Sequence, residues 1–301
     1  MQSVITLASQ RFTAGVSPAL AGSLLWFGLA EQIAIDFVRP ATVRACCEGS
    51  ARLSSCYPLV PYSNRIGDGR FEFQGVRYVL RRNADISEHP IHGLGWLHPW
   101  TVVSSTPDQL QLTISHDGEG GRNADWPWSY SATQTFTLDD DGLRHSIGMT
   151  NRDRRAMPAG IGLHPFFPKS PATQVCFEAE AVWRNSERML PQERTVVPPE
   201  WNFSQRGTVA GLTVDNCFAG WTRNADIVWP ERGWGLRLEA SAVFGHLVVF
   251  TSEARDSIAI EPVSHVNNAL NLADVRDDTG LRILAPGETL EGTLAMTPFA
   301  L

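Results

Sequence analysis

The chain has 301 residues, 43% hydrophobic and 19% charged, which excludes a disordered or fibrous protein and suffices for a sizeable core. Lys and Arg number 25 against 32 Asp and Glu, and the net charge of −7 argues against nucleic-acid and anionic-membrane partners. Cys46, Cys47, Cys56, Cys176 and Cys217 form neither an even-numbered framework nor a zinc spacing, so reduced thiols in a cytoplasmic protein are expected. Residues 1–9 lack the basic and apolar regions of a secretion signal. The longest apolar stretch, 19–30, is shorter than the ~20 residues a membrane-spanning helix requires.

Along the chain, short runs with alternating or β-branched character recur at 75–80, 110–115, 130–138, 142–150, 235–240, 246–251 and 257–261. Turn clusters punctuate them: Gly67-Asp68-Gly69, the glycine-rich stretch 117–121, and Asp139-Asp140-Asp141-Gly142. Helical apolar spacing is scarce, and 25 Gly with 19 Pro leave room only for short helices. Strands joined by turns predict an all-β fold, a large antiparallel β-sandwich. No linker, charge block or fixed-period repeat divides the chain, so one domain over residues 1–301 is expected.

Three segments stand out as carriers of chemistry. The first holds Asn64-Arg65 amid apolar residues, then His92-Gly93 with Trp96 nearby. Arginine offers forked donors to vicinal hydroxyls, and an indole face packs on the C–H side of a sugar ring. His89 and His92 are three residues apart but have no third ligand close in sequence, so no metal is expected. The second segment is Gly162-Leu163-His164-Pro165. In a strand, Gly162 and His164 share one face, which predicts open space beside the imidazole, and Pro165 is expected to end the strand. The third is Ala259-Ile260-Glu261-Pro262, with the same design and a carboxylate in place of the imidazole. A buried carboxylate costs stability unless it is paired or faces a ligand, which makes Glu261 a candidate base. Nucleophile-elbow, Walker-loop and zincin motifs are absent.

In this order the segments resemble the aldose 1-epimerase family, the galactose mutarotase-like enzymes. The motifs that carry the resemblance are Asn64-Arg65, His92-Gly93 with Trp96, Gly162-Leu163-His164-Pro165, and Glu261-Pro262 with Asn268-Ala269-Leu270-Asn271. The resemblance implies a large antiparallel β-sandwich that interconverts the α and β anomers of a free aldose such as galactose or glucose. It implies His164 as general acid and Glu261 as general base. Asn64, Arg65, His92 and Asp215 would be the sugar-binding residues. It further implies no cofactor, a small-molecule sugar as partner, and a monomer or homodimer. Residues 183–199 follow no pattern of the family.

The acid–base chemistry suits these residue types. Mutarotation removes the proton of the anomeric hydroxyl while the ring oxygen is protonated, and it needs one base, one acid and no electron sink. An ionised Glu261 beside a protonated His164 would neutralise itself. Rival readings are a phosphosugar mutarotase, for which Arg152, Arg154 and Arg155 form a basic cluster, a carbohydrate-binding sandwich, and a glycoside hydrolase with paired carboxylates.

Overall fold

A computed structural model describes residues 4–30, 35–118, 124–273 and 277–301. Part of the expected turn at 117–121 lies outside them. The expected strands are present: Val76–Val79, Gln109–His116, Tyr130–Leu138, Leu143–Asn151, Trp234–Ala240, His246–Thr251 and Ser257–Val263. Among the described residues the α-helices are two short ones, Val43–Glu48 and Ala269–Leu272. The latter is too short to be stable without the packing of Ala269 and Leu270.

The strands form a ten-stranded and a nine-stranded sheet, antiparallel within each, with two small two-stranded ribbons at the side. One apolar cluster takes Phe12, Phe27 and Leu163 from the larger sheet and Leu110, Phe136 and Met296 from the smaller one, so the sheets are the two layers of a β-sandwich. Burying each such side chain contributes about 1.5–3 kcal/mol.

The site depends on the other face of the ten-stranded sheet. Because side chains alternate along a strand, the residues between the core positions point away from the smaller sheet. Tyr57, Phe166, Trp183, Cys217, Val248 and Ala259 form a second apolar cluster there. Loops cover this face, so even outward-pointing positions are buried and strands such as Ser257–Val263 show no polar alternation.

Candidate active site

Strand register brings the two singled-out segments together. Gly162 pairs with Val263, and Phe166 with Ala259, which places His164 directly opposite Glu261. Cross-strand pairs extend this row to Tyr57 on one side and to Val248, Cys217 and Trp183 on the other. His164 Nε2 lies 3.1 Å from Glu261 Oε1, and the two residues are only 5% and 2% exposed.

The structure corrects two local expectations. Neither proline ends its strand: the strands run Gly162–Pro168 and Ser257–Val263. Proline's fixed φ suits an extended chain, and its missing N–H only interrupts the ladder between the flanking pairs. Phe166 N–H, just past Pro165, donates to Ser55 O at 2.8 Å and holds the chain straight. Nor is there space beside Gly162, where an added Cβ would lie 2.8 Å from Val263 Cγ1 and 3.1 Å from Leu59 Cδ1. The glycine admits close packing between neighbouring strands.

The charge state also differs from the expected ion pair. Burial pushes the Glu261 carboxyl well above its ordinary value, and the neighbouring Asp215 adds to the shift while Arg65 opposes it. Burial likewise pushes the His164 imidazole well below its ordinary value, with His92 and Arg39 acting in the same sense. Both shifts favour a neutral pair in which Glu261 donates a proton to Nε2 of His164. Glu261 Oε2 and His164 Nδ1 are buried with no hydrogen-bond partner among the described residues.

His92 is held by a reciprocal clasp. Asn64 N–H donates to His92 Nδ1 at 3.0 Å, and His92 N–H donates to Asn64 O at 2.9 Å. Since Nδ1 accepts, the ring proton sits on Nε2. Burial lowers the His92 pKa to about 3, so the ring is a permanent neutral donor at ordinary pH. Its ring centroid lies 5.5 Å from that of His164, at 78° between planes. Asn64 and His92 both have positive φ, 56° and 60°, a conformation uncommon outside glycine in which asparagine and histidine are over-represented. His89, in contrast, accepts from Asp68 N–H at 3.1 Å and serves the loop.

Arg65 and Asp215 complete the group. Asn64 Oδ1 accepts from both the backbone N–H and the guanidinium of Arg65 at 3.0 and 3.1 Å, which aims the arginine across the sheet. Arg65 Nη2 then lies 3.9 Å from Asp215 Oδ2. Asp215 projects from the site face beside Phe250, one cross-strand row from Glu261. All six residues singled out in the sequence therefore lie on or over one sheet face. Trp96 is packed against Tyr57, ring centroids 5.7 Å apart and only 5% exposed, and is a wall of the site instead of an open platform.

Other residues of the site carry weak sequence signals. Tyr57 lies in the strand Cys56–Leu59, buried throughout and without alternation, yet its ring centroid is 4.5 Å from that of His164. Asn83 reads as an ordinary polar loop residue. Its side chain accepts from Ile91 N–H and donates to Ile91 O and Gly93 O, each at 2.8 Å, and so clamps the His92 loop. The unplaced segment 183–199 largely forms the edge hairpin of Ala181–Asn185 with Pro191–Val196. From its turn, Arg188 pairs with Asp68, and with Glu88 at 3.0 Å, tying the hairpin to the loop after Arg65. Arg152 and Arg155 lie away from this face: the first bonds Ser131 Oγ at 2.9 Å and the second pairs with Asp153 at 2.9 Å.

Comparison with known proteins bears on the family and the fold. The profile of the family described as aldose 1-epimerase matches residues 42–297. The uncharacterized Escherichia coli (strain K12) protein YphB is 32% identical over 256 residues, spanning 82% of this chain and 85% of its own. A crystal structure from Escherichia coli K12, provisionally called an aldose 1-epimerase, superposes with a TM-score of 0.89 at 30% identity and covers 99% of both chains. A galactose mutarotase-like protein from Clostridium acetobutylicum shares the fold at a TM-score of 0.88 and 18% identity, covering 99% of this chain and 95% of its own. With the site's motifs on one sheet face and a match over most of its length, the chain belongs to the aldose 1-epimerase family.

Proposed function

We propose that the protein is a mutarotase that interconverts the α and β anomers of an aldose by opening and closing its ring. The observation that carries this reading is the buried contact of 3.1 Å between His164 Nε2 and Glu261 Oε1. The two oxygens that must exchange protons, the anomeric hydroxyl and the ring oxygen, share one carbon. An adjacent donor and acceptor matches that spacing.

Sugar hydroxyls bring hydrogen bonds to the unpartnered Oε2 of Glu261, which stabilise its carboxylate and move the shared proton to His164. Glu261 then takes the anomeric proton while His164 protonates the ring oxygen. Rotation about C1–C2 exposes the other carbonyl face, and the transfers run in reverse. His92 Nε2–H, Arg65 and Asp215 hold the ring oxygen and hydroxyls so that the anomeric carbon meets the pair. Each assisted proton transfer contributes about 10²–10⁴-fold, so the chemistry demands neither metal nor cofactor. A sugar-binding module has no use for a buried acid and base that lower its stability.

The test is anomer exchange followed by NMR from pure α-glucose or α-galactose. Equilibration faster than the spontaneous rate, unaffected by exhaustive chelation, is expected. A folded protein that binds aldoses without accelerating exchange would overturn the reading in favour of a binding module.

A further inference from the structure

One cross-strand row beyond His164 and Glu261, the site face carries Phe166, Ala259 and Phe250 side by side, with Phe166 paired to Ala259 and Ala259 to Phe250. The middle of that row is only a methyl group. Each flanking ring supports a guanidinium: Arg39 Cζ lies 3.8 Å from the Phe166 ring centroid, and Arg255 Cζ lies 4.3 Å from that of Phe250. Phe166 in turn stacks on His164, ring centroids 4.5 Å apart. Two arginines therefore stand on either side of the fully buried Ala259, next to the acid–base pair.

Neither guanidinium has a carboxylate at ion-pair distance among the described residues. Asp256 attracts Arg39 only from farther away. The Arg39 head donates to two backbone carbonyls, Arg52 O and Ser54 O, while its Nε is buried with no partner. Counting Arg65, the site gathers three guanidiniums against two carboxylates, Asp215, which attracts Arg65 and Arg255, and Asp256, which attracts Arg39, since His164 and Glu261 together carry no net charge. In a chain of net charge −7, this local excess of positive charge favours an anionic ligand.

Sugar geometry says where that anion belongs. His164 addresses the ring oxygen, and the exocyclic C6 arm leaves from the ring carbon next to that oxygen. The arm therefore leaves on the His164 side, where the site-face neighbours along that strand are Gly162, closed in by Val263 and Leu59, and Phe166, about 7 Å on. An anionic group on C6 directed toward Phe166 would come within reach of the two guanidiniums, whose forked donors match carboxylate and phosphate oxygens.

We propose that Arg39 and Arg255 clamp an anionic group on the C6 arm of the substrate, so that the preferred substrate is an acidic aldose, a hexuronate or a hexose 6-phosphate. This rests on the anomer-exchange reading. The experiment measures anomer exchange by NMR for glucose, glucuronate and glucose 6-phosphate, with wild type, Arg255→Gln and Arg39→Gln. We expect kcat/KM for one acidic sugar to exceed that for glucose about tenfold or more, and each variant to bring that ratio down toward one. Preference for glucuronate assigns a carboxylate, and preference for glucose 6-phosphate a phosphate. Arg255 is exposed, so its replacement reports on the clamp even if Arg39→Gln fails to fold. Equal rates on all three sugars, or a ratio unmoved in Arg255→Gln, overturn the clamp and leave the mutarotase reading standing. Should no sugar exchange, the mutarotase reading fails, and calorimetry decides the clamp separately. Weaker binding of the acidic sugars by Arg255→Gln supports it, and unchanged binding or none overturns it.

Discussion

His164 and Glu261 meet across two antiparallel strands at 3.1 Å, each the sole interruption of an otherwise apolar stretch of its strand, and burial drives both toward their neutral forms. A pair of this kind acts as one unit that gives and takes a proton. Glu261→Gln and His164→Asn should each lower turnover about 10²-fold or more while sugar still binds. The double variant should be only slightly worse than the poorer single one, because neither residue works without its partner's transfer. Kinetics of the four proteins check this, and near-wild-type exchange by Glu261→Gln would sink the mechanism.

The same pair fixes the pH profile of kcat/KM. At low pH His164 gains a second proton for the pair, and Glu261 can no longer take one from the anomeric hydroxyl. Its depressed pKa puts this limb below the ordinary histidine value of 6.5. At high pH Glu261 loses the shared proton, and the ring oxygen can no longer be protonated. The raised pKa puts this second limb well above the ordinary carboxyl value of 4.5. Since His92 titrates near pH 3, it adds no limb at neutral pH. A profile with its acid limb above pH 6.5 would contradict the assignment.

Stability should carry the opposite signature. A carboxyl whose folded pKa lies above its unfolded value contributes stability below the unfolded value, and that contribution is lost as pH rises through the folded one. Wild type therefore loses stability on the alkaline side because of Glu261, and Glu261→Gln does not. The melting temperature of the variant minus that of wild type should grow as pH rises. A constant difference from pH 5 to 9 would show that the carboxyl is not shifted upward.

Much of this was legible in the sequence because turns and alternation are local. The strand limits at 130–138 and 246–251 match residue for residue. His164 and Glu261 stood out as polar residues in apolar runs next to proline. Their mutual contact was not legible, since register between strands almost a hundred residues apart is set by tertiary pairing. The expected gap at Gly162 failed for the same reason: Val263 and Leu59 arrive from neighbouring strands and fill it. Tyr57 and Asn83 gave no signal because their roles depend on what the fold places beside them.

Asn83 offers a test of the loop that holds His92. Removing its amide in Asn83→Ala leaves Ile91 N–H, Ile91 O and Gly93 O without this partner, at a cost of about 1–3 kcal/mol. Gly93→Ala should be worse, because φ is 66° and an added Cβ would lie 2.2 Å from Val60 O. Denaturant melts give the stability cost. Asn83→Ala should also raise KM through the misplaced His92, and a variant that loses stability with KM unchanged would separate the loop from binding.

Arg65 and Asp215 bear on Glu261 with opposite signs. Asp215 raises the Glu261 pKa by repulsion between carboxylates, whereas the Arg65 guanidinium lowers it. Both residues also contact hydroxyls in the proposed complex, so Arg65→Gln and Asp215→Asn should each weaken sugar binding. A binding role alone would leave the position of the alkaline limb of kcat/KM unchanged. If the two charges act on Glu261, Asp215→Asn moves that limb to lower pH and Arg65→Gln moves it to higher pH. The contact of 3.9 Å between them is too long for a strong ion pair, so each charge is felt separately and the shifts should be distinct. Shifts in the same direction, or none, would place Asp215 outside the electrostatic reach of the base.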